Sequence, residues 1–313
     1  MRPRATVPPM NVLITGATGF LGRELVASLT AQGHAVSALS RNGERARQRI
    51  PQLVAAWDWD LLAGPPPAEA LAVDAVIHLA GETVAGRWTK RKKEAIHATR
   101  RDGTRHLVDG LGALPEGDRP SVLISTSAVG FYGERGEEEI TEATPAGSDF
   151  LARVCKDWEA GANAAAAHGL RVVTMRMPIV LGARGGVLEQ TVPMAKFGIN
   201  GPLGSGQQWW CWVAVPDVCR FVADALGDAS FEGAYNLCSP QPVRQIEFAR
   251  ALGRVLGRPS FLPTPAFALK LVLGEFSVEV LTSKRQLPAR LQERGWTFAQ
   301  PDLEEALRST LLG

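Results

Sequence analysis

The chain is poor in tyrosine, histidine and cysteine, with two, five and four of them in 313 residues. The cysteines, Cys155, Cys211, Cys219 and Cys238, have neither the paired spacing of a zinc site nor the density of a disulfide framework. Isolated thiols suit a reducing cytosol, and five scattered histidines make no ligand set, so a cytoplasmic protein without a metal is expected. No apolar run approaches the roughly 18 residues that a membrane span needs, so no membrane partner is expected. Charge of one sign is lacking too. Thirty-four basic residues face 32 acidic ones, and Arg2 and Arg4 alone account for the excess. A body so balanced has no electrostatic footprint for nucleic acid. The opening "MRPRATVPP" lacks the apolar stretch of a signal peptide. Residues 1–9 therefore read as a disordered tail, or as sequence upstream of a start at Met10.

What is present is rhythm. "NVLIT" (11–15), "AVSALS" (35–40), "LVAAW" (53–57), "DAVIHLA" (74–80), "SVLISTS" (121–127) and "RVVTMR" (171–176) read as strands. Helical patterns over about 20–32, 89–111 and 149–168 fall between them. This alternation predicts an α/β fold, a doubly wound parallel sheet of the Rossmann type with helices on both faces. Three prolines in "LLAGPPPAEA" mark a surface connection. From about Pro178 the rhythm gives way to glycine clusters and irregular segments. The chain thus divides into residues 10–177, a nucleotide-binding domain, and residues 178–313, mainly a smaller C-terminal α+β lobe. Later segments of the second part remain free to return to the first.

The strongest motif is "LITGATGFLGREL", where Gly16, Gly19 and Gly22 follow a strand and open a helix. Glycines at this spacing permit a tight turn, a close backbone approach to a pyrophosphate, and close helix–strand packing. The phosphate then meets the positive end of the helix. At the end of the second strand no carboxylate lies between Val36 and Arg41 to take the ribose hydroxyls of NAD. Ser40 and Arg41 stand there instead, placed to hold a 2′-phosphate, so NADP(H) is the expected cofactor. The plainer reading of Arg41 is an exposed loop charge.

"TGATGFLG", "VIHLAG" and "STSAVGFYG" resemble the cofactor loop, fourth-strand motif and fifth-strand serine segment of the extended short-chain dehydrogenase/reductase superfamily. More narrowly, "LAGETVAGRWTKRKK", "GPLGSGQQWWCWV" and "PQPVRQIEF" resemble an atypical branch labelled epimerase-family protein, some of whose relatives carry a cell-division-inhibitor label. "GEFSVEVLTSKRQLPARLQERGWTF" resembles that branch's short C-terminal domain of unknown function. The resemblance covers roughly residues 10–312. It implies cofactor contacts from Gly16, Thr18, Gly19, Phe20, Leu21 and Gly22, from Leu79, Ala80 and Gly81, and from Ser40, Arg41 and Ile179.

It also implies a serine, a tyrosine, a lysine and an asparagine around the nicotinamide, the lysine lowering the tyrosine's pKa so that it can move a proton. Only the serine, Ser127, is matched. Aligning Glu159 with the family's glutamate puts Leu151 at the tyrosine and Cys155 at the lysine. The neighbouring register gives Ala152 and Lys156. Arg100 stands at the asparagine. Tyr132, Glu82 and Lys156 are the candidates for the missing acid–base group, Glu82 because burial at the mouth of the fourth strand would raise its pKa. Each also has a plain structural reading. The five glutamates of "ERGEEEITE" (134–142) read as a solvated loop.

Where the family clamps a sugar-nucleotide diphosphate with arginine, "QQWWCWV" places Trp210. Gln208, Trp209 and Trp210 are therefore expected to line a pocket for a flatter, less charged small molecule. Packing in the core of the lobe is the alternative for these tryptophans. The combined expectation is an NADP(H)-dependent oxidoreductase or epimerase-like protein acting on a small molecule, or else a non-catalytic NADP(H)-binding regulator.

Overall fold

The computed structural model describes residues 8–313, so most of the tail expected over 1–9 lies outside the described residues. The first half runs β1 (Asn11–Thr15), α1 (Phe20–Ala31), β2 (Ala35–Ser40), α2 (Gly43–Arg49), β3 (Ala55–Asp58), β4 (Ala75–His78), α3 (Lys90–Ala113) and β5 (Val122–Ala128). There follow β6 (Glu139–Ile140), α4 (Phe150–Asn163), β7 (Arg171–Met177), β8 (Ile179–Gly182), α5 (Gly186–Lys196), β9 (Trp209–Trp210), β10 (Trp212–Ala214), α6 (Val215–Gly227) and β11 (Gly233–Asn236). The chain closes with β12 (Val243–Arg244), α7 (Gln245–Leu256), α8 (Ala266–Leu273), α9 (Ser277–Leu281), β13 (Arg285–Gln286), α10 (Ala289–Glu293) and α11 (Leu303–Leu312).

Seven strands form one parallel sheet in the order β11-β7-β5-β4-β1-β2-β3. Because side chains alternate along a strand, each strand feeds two cores. Val12, Ile14, Val36, Ala38, Ile77, Ile124 and Met175 point to the side covered by α1 and α6. Leu13, Leu39, Val76, Leu123 and Val172 point to the side covered by α3, through Leu107, Val108 and Leu111. Strands buried on both faces read as unbroken apolar runs, which is why they were legible. The chain winds outward from β1 to β3, then crosses back to β4 and continues the other way. The crevice between β1 and β4 is thus the topological switch point, where such folds bind ligands.

The second half does return to the sheet. α6 packs in the first core, and β11 is an edge strand beside β7. The lobe proper is a third cluster joining α5, α7 and α11 around Trp210 and Trp212. The three prolines of residues 65–67 lead into a 3₁₀ turn, Ala68–Leu71, whose Ala70 and Leu71 are buried. Among the described residues no helix is long and apolar enough to cross a membrane.

One buried histidine ties the sheet to α3. Thr15 Oγ1 accepts the N–H groups of Leu79 and Ala80, so its own proton goes to His78 Nδ1 at 2.7 Å. His78 Nε2 then carries the ring proton and donates to Thr104 Oγ1 at 3.0 Å. Burial, and then the charge of Arg100, push this imidazole down from 6.5 to about 4. The unfolded chain binds the proton first as pH falls, so His78 contributes stability above 6.5 that is lost between 6.5 and about 4. The loss should reach about 3 kcal/mol at the acid end. Urea unfolding at a series of pH values should show this slope, and His78→Asn should flatten it.

Candidate functional site

The turn between β1 and α1 is shaped by close contacts that leave no room for side chains. Gly16 has φ +75°, and a Cβ there would stand 3.0 Å from the Ala80 nitrogen. A Cβ on Gly22 would lie 2.3 Å from the Gly16 oxygen, so the first turn of α1 rests directly on the loop. Gly19 caps the helix with no side-chain acceptor, and the first turn carries no acid. Its N–H groups and the positive end of the helix are therefore available to an anion. These features fit a dinucleotide pyrophosphate. Phe20 packs its ring against Gly182 and Gly185, where an added Cβ would come within 2.4 and 2.5 Å of it. Phe20 and Leu21 are thus packing side chains, with only their backbone offered to a ligand. Thr18 is half-buried beside them.

At the end of β2, Ser40 is half-buried and its Oγ accepts the Asn42 N–H at 3.4 Å. Arg41 is exposed and forms no ion pair among the described residues. Asn42 caps α2, accepting from the Arg45 N–H at 2.7 Å. The nearby carboxylate, Asp58, is turned onto the Gly43 N–H at 2.7 Å. An uncommitted guanidinium, a hydroxyl and a helix N-terminus therefore meet at this end of the crevice.

The opposite end is built by β5, β7 and α4. Asp149 caps α4 by accepting from the Ala152 N–H, and the helix turns Leu151, Cys155 and Glu159 inward, at every fourth residue. Lys156 is exposed on the outer face. Leu151 and Ala152 are both buried, so the two registers differ in that one turns Cys155 inward and the other leaves Lys156 in solvent. Lys156 is removed from the candidates.

Below them lies a continuous polar network. Ser127 Oγ donates to Glu159 Oε1 at 2.6 Å. Arg176 grips both oxygens of Glu159, at 2.9 and 2.8 Å, and donates to the Tyr132 hydroxyl at 2.9 Å. Tyr132 donates to Asn236 Oδ1 at 2.6 Å, and Gln286 Nε2 donates to the same oxygen at 2.8 Å. The Arg176 guanidinium also lies 3.6 Å from the Phe131 ring centroid. Tyr132 is fully buried, and burial pushes its phenol well above the ordinary value. A hydroxyl held so is part of the wall and does not give up a proton. Ser127 is 2% exposed, and its one proton is committed to Glu159.

Glu82 also departs from expectation. Its side chain is 38% exposed and paired with Lys92, so the burial on which the acid role rested is absent. Its N–H is held by Thr99 Oγ1 at 3.0 Å, and its carbonyl by Arg100 at 2.9 Å. On the lobe side, Gln208 is buried and spends its amide on the carbonyls of Leu203 and Val280. Trp210 packs edge-on to Phe248, and Trp212 is fully buried, so both are lobe core. Trp209 is stacked between Arg244 and Arg285, with guanidinium carbons 3.9 and 4.8 Å from the ring, and donates to Glu137. Of the three expected pocket residues, Trp210 belongs to the lobe core, Trp209 is held by two arginines, and Gln208 lines a groove. Ile179 begins β8, half-buried and donating its N–H to Cys211. A groove of about 310 Å³ does open between Gly204, Gln208, Ala266, Lys270 and Leu281.

Residues that reading the sequence missed are Arg176, the partner of Glu159, and Asn236 and Gln286, which continue the network beyond Tyr132. The signal for Arg176 was a charge closing an otherwise apolar strand, "RVVTMR". The acidic run 134–142 is largely solvated as expected, with Glu134, Glu137, Glu138 and Glu139 exposed, but three of its glutamates also bind distant partners. Glu134 accepts the Ser283 N–H, Glu137 pairs with Arg244, and Glu142 accepts from the Asn236 and Arg290 N–H groups. Arg244 and the Trp209 indole hold Glu137 down to about 2.

Comparisons with known proteins agree with this architecture. The model of the "NAD dependent epimerase/dehydratase family" matches residues 12–238, and a "domain of unknown function (DUF1731)" matches 264–310. The chain is 39% identical over 306 residues to the epimerase family protein SDR39U1 homolog, chloroplastic, of Arabidopsis thaliana, covering 96% of this chain and 87% of that protein. It is 36% identical to the epimerase family protein YfhF of Bacillus subtilis, covering 95% and 97%. Its fold superimposes on human epimerase family protein SDR39U1 (isoform2), solved with NADPH, at a TM-score of 0.85 and 27% identity, covering 97% and 100%.

All four cysteines are buried. Burial pushes Cys155 and Cys211 up to about 12 and Cys219 to about 11, and raises Cys238 well above its ordinary value. Thiolate is the reactive form. A thiol-specific disulfide reagent at pH 8 should thus leave the native protein untouched and titrate all four thiols after denaturation. Rapid reaction of one thiol in the native state would contradict this account of Cys155.

Proposed function

From the premise that this chain belongs to the NAD-dependent epimerase/dehydratase family, we propose that it binds NADP(H) and passes hydride to an electron-poor small molecule without a protein proton donor. The observation that carries this reading is the inward face of α4, which presents Leu151 and Cys155 while Ser127 and Tyr132 spend their hydroxyl protons inside the wall. Sugar epimerisation takes a proton from a hydroxyl and gives one back, which a wall with no free acid or base does not support. Reduced nicotinamide, when bound, supplies the hydride. Conjugated carbonyls and quinones spread the resulting negative charge over the acceptor, and water can then deliver the proton. The preference for NADP(H) over NAD(H) is supported by free Arg41 beside Ser40, by the diversion of Asp58 to Gly43, and by NADPH in the human relative's structure.

Two measurements test this reading. NADPH should bind with an enhanced, blue-shifted fluorescence, and Arg41→Ala should weaken it about tenfold or more, as loss of a charge-assisted phosphate contact does. Equal binding of NADH and NADPH by the wild type would remove the Arg41 argument. Second, NADPH oxidation should appear with quinone or conjugated-carbonyl acceptors and survive Ser127→Ala within a few-fold. The commitment of Ser127 and Tyr132 to the wall equally suits a second reading, a non-catalytic NADP(H)-responsive protein. Intact NADPH binding with no turnover across such a panel would select it.

A further inference from the structure

Arg100 stands where the resemblance places the family's asparagine, and among the described residues its guanidinium makes no ion pair, although the Glu82 charge acts on it. It projects from α3 across the backbone of Gly81, where an added Cβ would lie 3.2 Å from the guanidinium carbon. Nη1 donates to the carbonyls of Glu82 and Ile96, at 2.9 and 3.2 Å. Nε and Nη2 form no hydrogen bond among the described residues. The guanidinium carbon is 4.8 Å from the centroid of the Trp158 ring, one turn beyond Cys155 on α4. Its partners are thus two neutral carbonyls and a ring face. The acids around it are already matched, Glu82 by Lys92 and Glu159 by Arg176.

A dinucleotide laid from Ser40 and Arg41 across the N-terminus of α1 ends with its nicotinamide on the β4–β5 side, where Arg100 lies. The reduced ring is neutral and the oxidised ring carries one positive charge. A guanidinium whose hydrogen-bond partners are neutral carbonyls repels only the second. We infer that Arg100 makes the site selective for the reduced cofactor, so that the protein binds NADPH in preference to NADP⁺. The inference rests on the NADP(H) reading above and adds to it a direction: reduced cofactor in, oxidised cofactor expelled.

The test compares affinities for NADPH, NADP⁺ and 2′,5′-ADP, the last reporting the adenine end alone. Wild-type protein should bind NADPH about tenfold or more tightly than NADP⁺, equivalent to about 1.4 kcal/mol of charge repulsion. Arg100→Gln should bring the ratio close to one, Arg100→Lys should preserve it, and 2′,5′-ADP should bind all three proteins alike. A wild-type ratio near one, measured with no variant at all, overturns the inference. So does an unchanged ratio in Arg100→Gln with 2′,5′-ADP binding intact. Failure of the wild type to bind either NADPH or 2′,5′-ADP overturns the cofactor reading itself, and is distinguishable from both.

Discussion

The Glu159–Arg176 pair is the contact on which the far half of the site depends. It joins α4 to β7 through two charge-assisted bonds, and Ser127 of β5 completes the carboxylate's partners. Two ions buried together are stable only when their remaining donors and acceptors are also met. That requirement recruits the Tyr132 hydroxyl, then Asn236, then Gln286. Ser127 is bound into this chain of obligations. Breaking the pair by removing one partner would leave a buried charge worth about 3–5 kcal/mol in lost stability.

The same network explains the fate of the acid–base group. A tyrosine can act near neutral pH only if a cation lowers its pKa and its oxygen faces the substrate. Tyr132 has a cation beside it in Arg176, but burial outweighs that charge and the hydroxyl faces the wall. Arg100, on α3, holds charge beside the Glu82 carbonyl but cannot exchange protons in the working range. Charge and proton transfer, combined in the usual pair, have come apart here.

The sheet was readable because strands buried on both faces leave continuous apolar runs, and the cofactor loop because only glycine fits its contacts. "LVAAW" was placed about two residues early, since Leu53 and Val54 precede the pairing of Ala55 with Ser37. The site was less legible where long-range partners decide the role of a residue. Nothing local distinguishes a solvated glutamate from Glu142, whose acceptors are taken by N–H groups from β11 and α10. Likewise the tryptophans of "QQWWCWV" gave their type but not their side. The tight β9–β12 and β10–β8 pairings send Trp210 and Trp212 into the lobe and leave Trp209 between two arginines.

Gln286 closes the polar wall from a strand that pairs with Glu139–Ile140, some 146 residues earlier in the chain. During synthesis all seven strands of the sheet are present once β11 has emerged, while the first core still awaits Leu291, Trp296 and Phe298. The far wall also lacks Gln286, the second donor to Asn236 Oδ1. The last stretch of the protein therefore acts as a keystone, set after the arch is standing.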